Sequence, residues 1–325
     1  MRAISLVLAG VVSAGLAAAE GGKLLVLSKG DRTLAVVDPS SLKVLGKAPV
    51  GLDPHEVIAS SDGKTAYVSN YGGGAYNTLT VIDLVNIKPI GPIDLGPLRG
   101  PHGLTFVGDE TWFTAEGAKA IGRFNPASQK VDWILGTGQN RTHMIWVAPD
   151  MSHIYTTNVA SGTVSIIRKV TGGRNPLGDW NETVVKVGPG SEGFDVSPGD
   201  KQIWVANAGD GTVSIIDTAL ERVVATWQAN VPGANRLRFT RDGKLVFISS
   251  LGKAGIVVLD VSTHKEVKRF RTEGAAGIEV QPDGSRVYVA VTGGNYVAVI
   301  DPNTLQMVGK INAGPQPDGM AWCSR

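Results

Sequence analysis

Three of the five histidines in this 325-residue chain occupy nearly the same local setting: Pro54-His55-Glu56-Val57, Pro101-His102-Gly103-Leu104 and Thr142-His143-Met144-Ile145. Two acids stand in matching phrases, Ser191-Glu192-Gly193-Phe194 and Pro317-Asp318-Gly319-Met320. Imidazole is a proton carrier near neutral pH and a ligand for borderline-soft metals. His55, His102, His143 and Glu192 together form a ligand set for one divalent transition metal, Zn, Fe, Cu or Ni, with a position left open for chemistry. Calcium fits less well, since a hard ion wants an all-oxygen cage. Glu192 is also a candidate proton carrier. Arg141 and Arg236, with Arg99 nearby, are candidates to hold a substrate carboxylate. Other uses fit the same residues. The histidines can serve a metal-free polar site or bond loop carbonyls at a rim, and the arginines can pair with Asp53, Glu116, Glu192 or Glu273.

Residues so far apart can meet only if a repeat brings them together, and the chain is repetitive. Positions 55, 102, 143, 192, 235, 276 and 318 are equivalent and lie 41–49 residues apart. After each comes an Asp-Gly type turn ("SSDGK" 60–64, "TRDGK" 240–244, "QPDGS" 281–285) and an apolar phrase ("TAYVSN" 65–70, "QIWVAN" 202–207, "LVFISS" 245–250). A second apolar phrase ending in Asp follows ("LAVVDP" 34–39, "LTVIDL" 79–84, "VSIIDT" 213–218). The degenerate phrases "TWFTAEG" at 111–117 and "AIGRFNP" at 120–126 keep the pattern but lose the Asp. Val/Ile-rich runs with tight turns read as short strands, four per unit, and rule out a helical repeat. Such units bury both faces only when arranged radially, as blades of an all-β propeller. Seven equivalent positions predict seven blades. The chain opens on a second strand at "KLLVLSKGDRTLAVVD" and ends on a first strand at "PDGMAWCSR". The final blade should therefore be closed by N-terminal and C-terminal strands together. The first strand of each blade lines the channel and puts His55, His102, His143, Glu192, Asn235, Ala276 and Asp318 around one mouth.

The phrases "YVSN" and "VSIID" at this spacing resemble the YVTN-repeat propellers, also grouped as YncE-like and surface-layer-type, across essentially the whole chain after residue 19. The resemblance implies a seven-bladed β-propeller. Wider relatives on similar scaffolds include lactonases and lactonizing enzymes. That points to a hydrolase or lyase acting on a small oxygenated substrate such as a lactone, and equally leaves open a non-catalytic protein- or glycan-binding propeller of the cell envelope.

Residues 1–19 read as a signal peptide: Arg2, an apolar run from Ile4 to Leu16, then Ala17-Ala18-Ala19. Residues 20–325 are then the propeller domain, periplasmic or secreted, with no membrane insertion of the mature chain. The formal charge of +2 and the lack of a Lys/Arg block give no case for nucleic acid. The expected partner is a small-molecule substrate or an envelope protein. No Rossmann glycine pattern, phosphate loop or haem-attachment cysteine pair is present, so no organic cofactor is expected. Cys323, the single cysteine, cannot close an internal disulfide and should be buried. Two loops stand out. The glycine-rich 70–77 carries Tyr71 and Tyr76 and suits a lid, and 168–183 extends a connection away from the mouth. His153 and His264 lie off the ring.

Overall fold

A computed structural model describes residues 21–170, 172 and 179–325. The leader expected at 1–19 and residues 171 and 173–178 of the excursion lie outside the described residues. Those described form twenty-eight strands, β1 to β28 in chain order, in seven four-stranded antiparallel sheets. This is the seven-bladed propeller expected from the repeat.

The innermost strands are β4 (Pro54–Ala59), β8 (Pro101–Val107), β12 (Thr142–Val147), β16 (Ser191–Val196), β20 (Ala234–Phe239), β24 (Ile278–Val280) and β28 (Pro317–Cys323). The last of these pairs with β1 (Lys23–Ser28), which continues outward through β2 (Thr33–Asp38) and β3 (Lys43–Pro49). The two ends of the described chain thus share one sheet, and this blade has its full four strands. Cys323 is buried in the core between this blade and the next.

The sequence pattern explains the layers. The second and third strands of each blade are near-continuous apolar runs because neighbouring blades cover both faces. Leu24 to Leu27 and Val246 to Ile248, for instance, are fully buried. Outermost strands such as Arg222–Gln228 alternate exposed and half-buried residues, since they stand at the perimeter. The Asp that ends five of the seven third strands caps the turn to the fourth: Asp38 Oδ1 accepts from the Ser40 amide at 2.9 Å, and Asp217 does the same for Ala219 at 2.9 Å. Asn125, at the unit lacking the Asp, accepts from the Ala127 amide in the same way at 2.9 Å.

Asn70, Asn158 and Asn207 end their second strands without bonding their own backbones. Each amide nitrogen instead donates to a pair of hydroxyls on the next strand: Thr78 and Thr80, Thr163 and Ser165, Thr212 and Ser214. The role is structural, through cross-strand bonds.

At the axis the inner strands approach backbone to backbone. The residue after the ring position is glycine in four blades, and a Cβ there would sit 2.5 Å or less from a neighbouring carbonyl oxygen: Gly103 against His143, Gly193 against Asn235, Gly277 against Asp318 and Gly319 against His55. Second-strand hydroxyls bridge the same seam, with Thr114 donating to the His143 carbonyl, Thr157 to Glu192 and Ser249 to Ala276.

Gly319→Ala should lower the melting temperature, costing about 1–3 kcal/mol as overpacking. The control Gly136→Ala, with nothing within 4 Å of the added methyl, should leave it unchanged. Thermal denaturation of both variants checks this.

Candidate functional site

The local chain path aims the ring residues. Two positions before the ring, the backbone turns through the left-handed region in six of seven blades: Asp53, Gly100, Arg141, Gly190, Gly233 and Gln316 have φ between 50° and 70°. A pairing irregularity follows in β4, β8, β12, β16, β20 and β28. Such bulges re-aim side chains, and here successive residues such as His55 and Glu56 both face inward. Asp53, Arg141 and Gln316 hold their conformation at a steric cost that glycine would avoid. Asp53 and Arg141 send side chains into the mouth.

A cavity of about 130 Å³ results, lined on one side by His55, His102 and His143 and on the other by Glu192, Asn235 and Asp318. The expected ring is therefore one site. The His55 and His102 ring centroids are 4.8 Å apart, and those of His102 and His143 are 3.8 Å apart. His102 and His143 are buried.

Two residues that sequence spacing did not nominate complete the site. Glu116, on the loop after β9 (Glu110–Ala115), is bonded through Oε1 to His143 Nδ1 and through Oε2 to the Tyr71 hydroxyl at 2.5 Å. His102, Glu116 and His143 offer ligand atoms within 4.8 Å of one another, a group that could hold a metal ion. Lys29, at the end of β1, places Nζ 2.8 Å from both His55 Nε2 and Asp318 Oδ2. Neither sits on an inner strand, so the repeat register could not point to them. From the sequence, Glu116 is expected only as a pairing partner for arginine.

Protonation follows from this arrangement. His102 is driven well below its ordinary value by burial and then by neighbouring positive charge, and is neutral. Burial also depresses His143, but the carboxylates of Glu192 and Glu116 outweigh it and raise the group overall. Burial likewise opposes ionisation of Glu192, yet His143, then Arg236 and Arg141, hold it down at about 2. His55 is lowered mainly by burial. With Lys29 donating to Nε2, its Nδ1–H lies 3.1 Å from the Asp53 carbonyl, so both nitrogens are engaged.

Three polar atoms in this cavity are buried without a hydrogen-bond partner: His102 Nδ1, His143 Nε2 and Asn235 Oδ1. His143 Nε2 is 3.0 Å from Glu192 Oε1 but lacks hydrogen-bond geometry. Buried polar groups are rarely left unpaired, so these three atoms call for a water, an ion or a ligand group.

The arginines divide. Arg236 gives Nε and Nη2 to Glu56 Oε1 and Nη1 to the Asn235 carbonyl, so its guanidinium is consumed within the protein. The pair crosses the axis between distant blades and floors the cavity. Glu56 was not among the expected partners. Arg141 pairs with Glu116 at 3.3 Å, as the competing sequence reading allowed, but its side chain stays 46% exposed and can turn toward a ligand. Arg99 donates to the Ala75 carbonyl and has no carboxylate partner among the described residues. The 70–77 loop docks against the 99–117 region, with Gly100 donating to the Tyr76 carbonyl, and so forms a fixed wall. His153 bonds Asp200 at 2.6 Å and His264 stacks on Trp227, both away from the mouth.

No protein-family model matches the chain, nor does any curated protein sequence. Solved structures do. A functionally unknown protein from Desulfotomaculum acetoxidans superposes with a TM-score of 0.76 at 14% identity, over 93% of this chain and 99% of that one. A candidate 6-phosphogluconolactonase from Bacteroides fragilis gives 0.74 at 14%, over 94% and 99%. Hydrazine synthase from Kuenenia stuttgartiensis gives 0.67 at 16%, over 84% and 91%. At these identities the likeness is one of fold. No helix among the described residues is long and apolar enough to cross a membrane.

Two outcomes follow. Glu56→Gln leaves the buried Arg236 uncompensated and should cost about 3–5 kcal/mol in chemical denaturation, while Glu56→Met combined with Arg236→Met should recover most of it. Glu192 has a folded pKa of about 2 against an ordinary 4.5, so its stabilisation is full above about pH 4.5 and is lost as pH falls toward 2. Glu192→Gln should flatten that acid limb in pH-dependent melting.

Proposed function

We propose that the mouth cavity binds one divalent transition metal through His102, His143 and Glu116, with Glu192 beside it, and acts as a hydrolase or lyase on a small oxygenated molecule such as a lactone. The observation carrying this reading is that His102, Glu116 and His143, all buried, bring ligand atoms within 4.8 Å of one another, with His102 Nδ1 left unpartnered. A single cation answers the imidazole lone pairs and the carboxylate charges together. The expected set also contained His55, whose nitrogens Lys29 and Asp53 occupy here, so Glu116 takes that place in the proposal.

The metal supplies Lewis acidity toward a carbonyl or a water. The chain supplies the rest. Glu192, ionised and at the cavity edge, accepts a hydrogen bond from the water or substrate hydroxyl and orients it toward the reacting carbon. Arg141 turns from Glu116 to hold a substrate carboxylate, and Lys29 adds positive charge on the His55 side. The pocket is narrow, so the substrate is small. The name of the Bacteroides fragilis protein supports lactone chemistry by fold likeness alone. Export to the periplasm or exterior, proposed from residues 1–19, would place the activity outside the cytoplasm.

A second reading rests on exposed apolar side chains. Leu52, Tyr76 and Leu251, on connections at this face, are 42%, 38% and 55% exposed, which suits docking of an envelope partner over the mouth.

Protein purified without chelator should carry close to one transition metal per chain by elemental analysis, and His102→Ala should lose it. Because His143 must shed its proton to bind, uptake should weaken as pH falls. Metal-dependent turnover in a lactone panel supports the enzyme. Metal-free protein, with the His102→Ala variant equally stable, would overturn the metal site and favour the docking surface.

A further inference from the structure

Beneath the mouth cavity a second one opens on the same axis. Arg236 lines the first and its partner Glu56 lines the second, so their ion pair is the partition between them. The second cavity has a volume of about 180 Å³. Its wall comes from the position three residues beyond the ring on each inner strand. Ile58, Thr105 and Trp146 line one side, and Asp195, Arg238 and Glu279 the other.

The charged side is unbalanced. Arg238 Nη1 pairs with Asp195 Oδ1 at 3.2 Å, and Asp195 Oδ2 also accepts the Phe239 amide at 2.9 Å. Glu56 is matched by Arg236. Glu279 has no hydrogen bond or ion pair among the described residues. Its side chain keeps some contact with the space of the cavity yet lies deep in the protein. Burial, reinforced by the Asp195 and Glu56 charges and only partly offset by Arg238, lifts its carboxyl to about 7. An unpaired carboxyl in such a place wants a cationic partner.

The opposite side is preorganised and apolar. The Trp146 indole stacks on Tyr155 at 5.2 Å and 11°, and Tyr155 is held by donating its hydroxyl to Asp200 at 3.0 Å. A tryptophan and an unpaired carboxylate lining one cavity suit an organic ammonium ion. Three carboxylates against two arginines disfavour an anion, and no histidine or cysteine lines the cavity to favour a transition metal.

We propose that this second cavity binds a small organic ammonium ion, its nitrogen against Glu279 and its hydrocarbon part against Trp146 and Ile58. The site is separate from the mouth and does not depend on the reading given for it.

Isothermal titration with n-butylammonium tests it, with n-butanol as the neutral match and butyrate as the anionic one, on protein both metal-loaded and chelator-treated. Butylammonium should bind in both states, at least tenfold more tightly than butanol, with butyrate silent. Glu279→Gln should weaken it at least tenfold, and Trp146→Ala should weaken it severalfold, while elemental analysis shows mouth metal content unchanged. Absent binding, equal binding of butanol, or an unaffected Glu279→Gln variant whose melting temperature matches the parent would overturn the proposal.

Discussion

The close approach of seven inner strands around one axis is the constraint on which the molecule depends. Strands from neighbouring blades come near enough that a methyl group at Gly277 or Gly319 would reach the next blade's carbonyl oxygen. Only at that separation can side chains from three or four blades meet in a cavity of about 130 Å³. The bulges and left-handed turns that feed these strands are the local means of aiming two successive residues inward. Burial of polar groups at the axis follows, and with it the displaced proton affinities of His102, His143 and Glu192.

The axis is then organised by charge in layers. At the mouth, carboxylates flank His143 and a lysine bridges His55 to Asp318. At mid-depth, Glu56 and Arg236 neutralise each other across the ring. Below them, Asp195 and Arg238, from neighbouring blades, pair beside the unmatched Glu279. A buried ion pair is weak evidence for stability on its own, because desolvation offsets much of the attraction. Its position matters more here: it divides one channel into two cavities of different character, a histidine-rich one and an aromatic-acidic one.

The fold does not choose the activity. Solved propellers that superpose well share 14–16% identity with this chain and carry unrelated descriptions. What distinguishes this chain is the side chains at equivalent ring positions, grafted on a stiff and tolerant scaffold. The YVTN-repeat resemblance therefore speaks to architecture, and the proposed chemistry stands on the cavity alone.

The sequence by itself determined the blade count, the closure of the ring by both chain ends and the convergence of His55, His102, His143, Glu192 and Asp318. A repeat register is a geometric statement, so equivalent positions must surround a common axis. Tertiary structure alone decided which groups were free. Glu116 and Lys29 reach the cavity from a loop and a second strand, where the inner-strand register does not extend. Arg236 proved to be committed to Glu56, a residue 180 positions away in the chain. Whether a side chain is available to a ligand depends on neighbours across the axis, and these depend on which blades face each other and how far each side chain reaches.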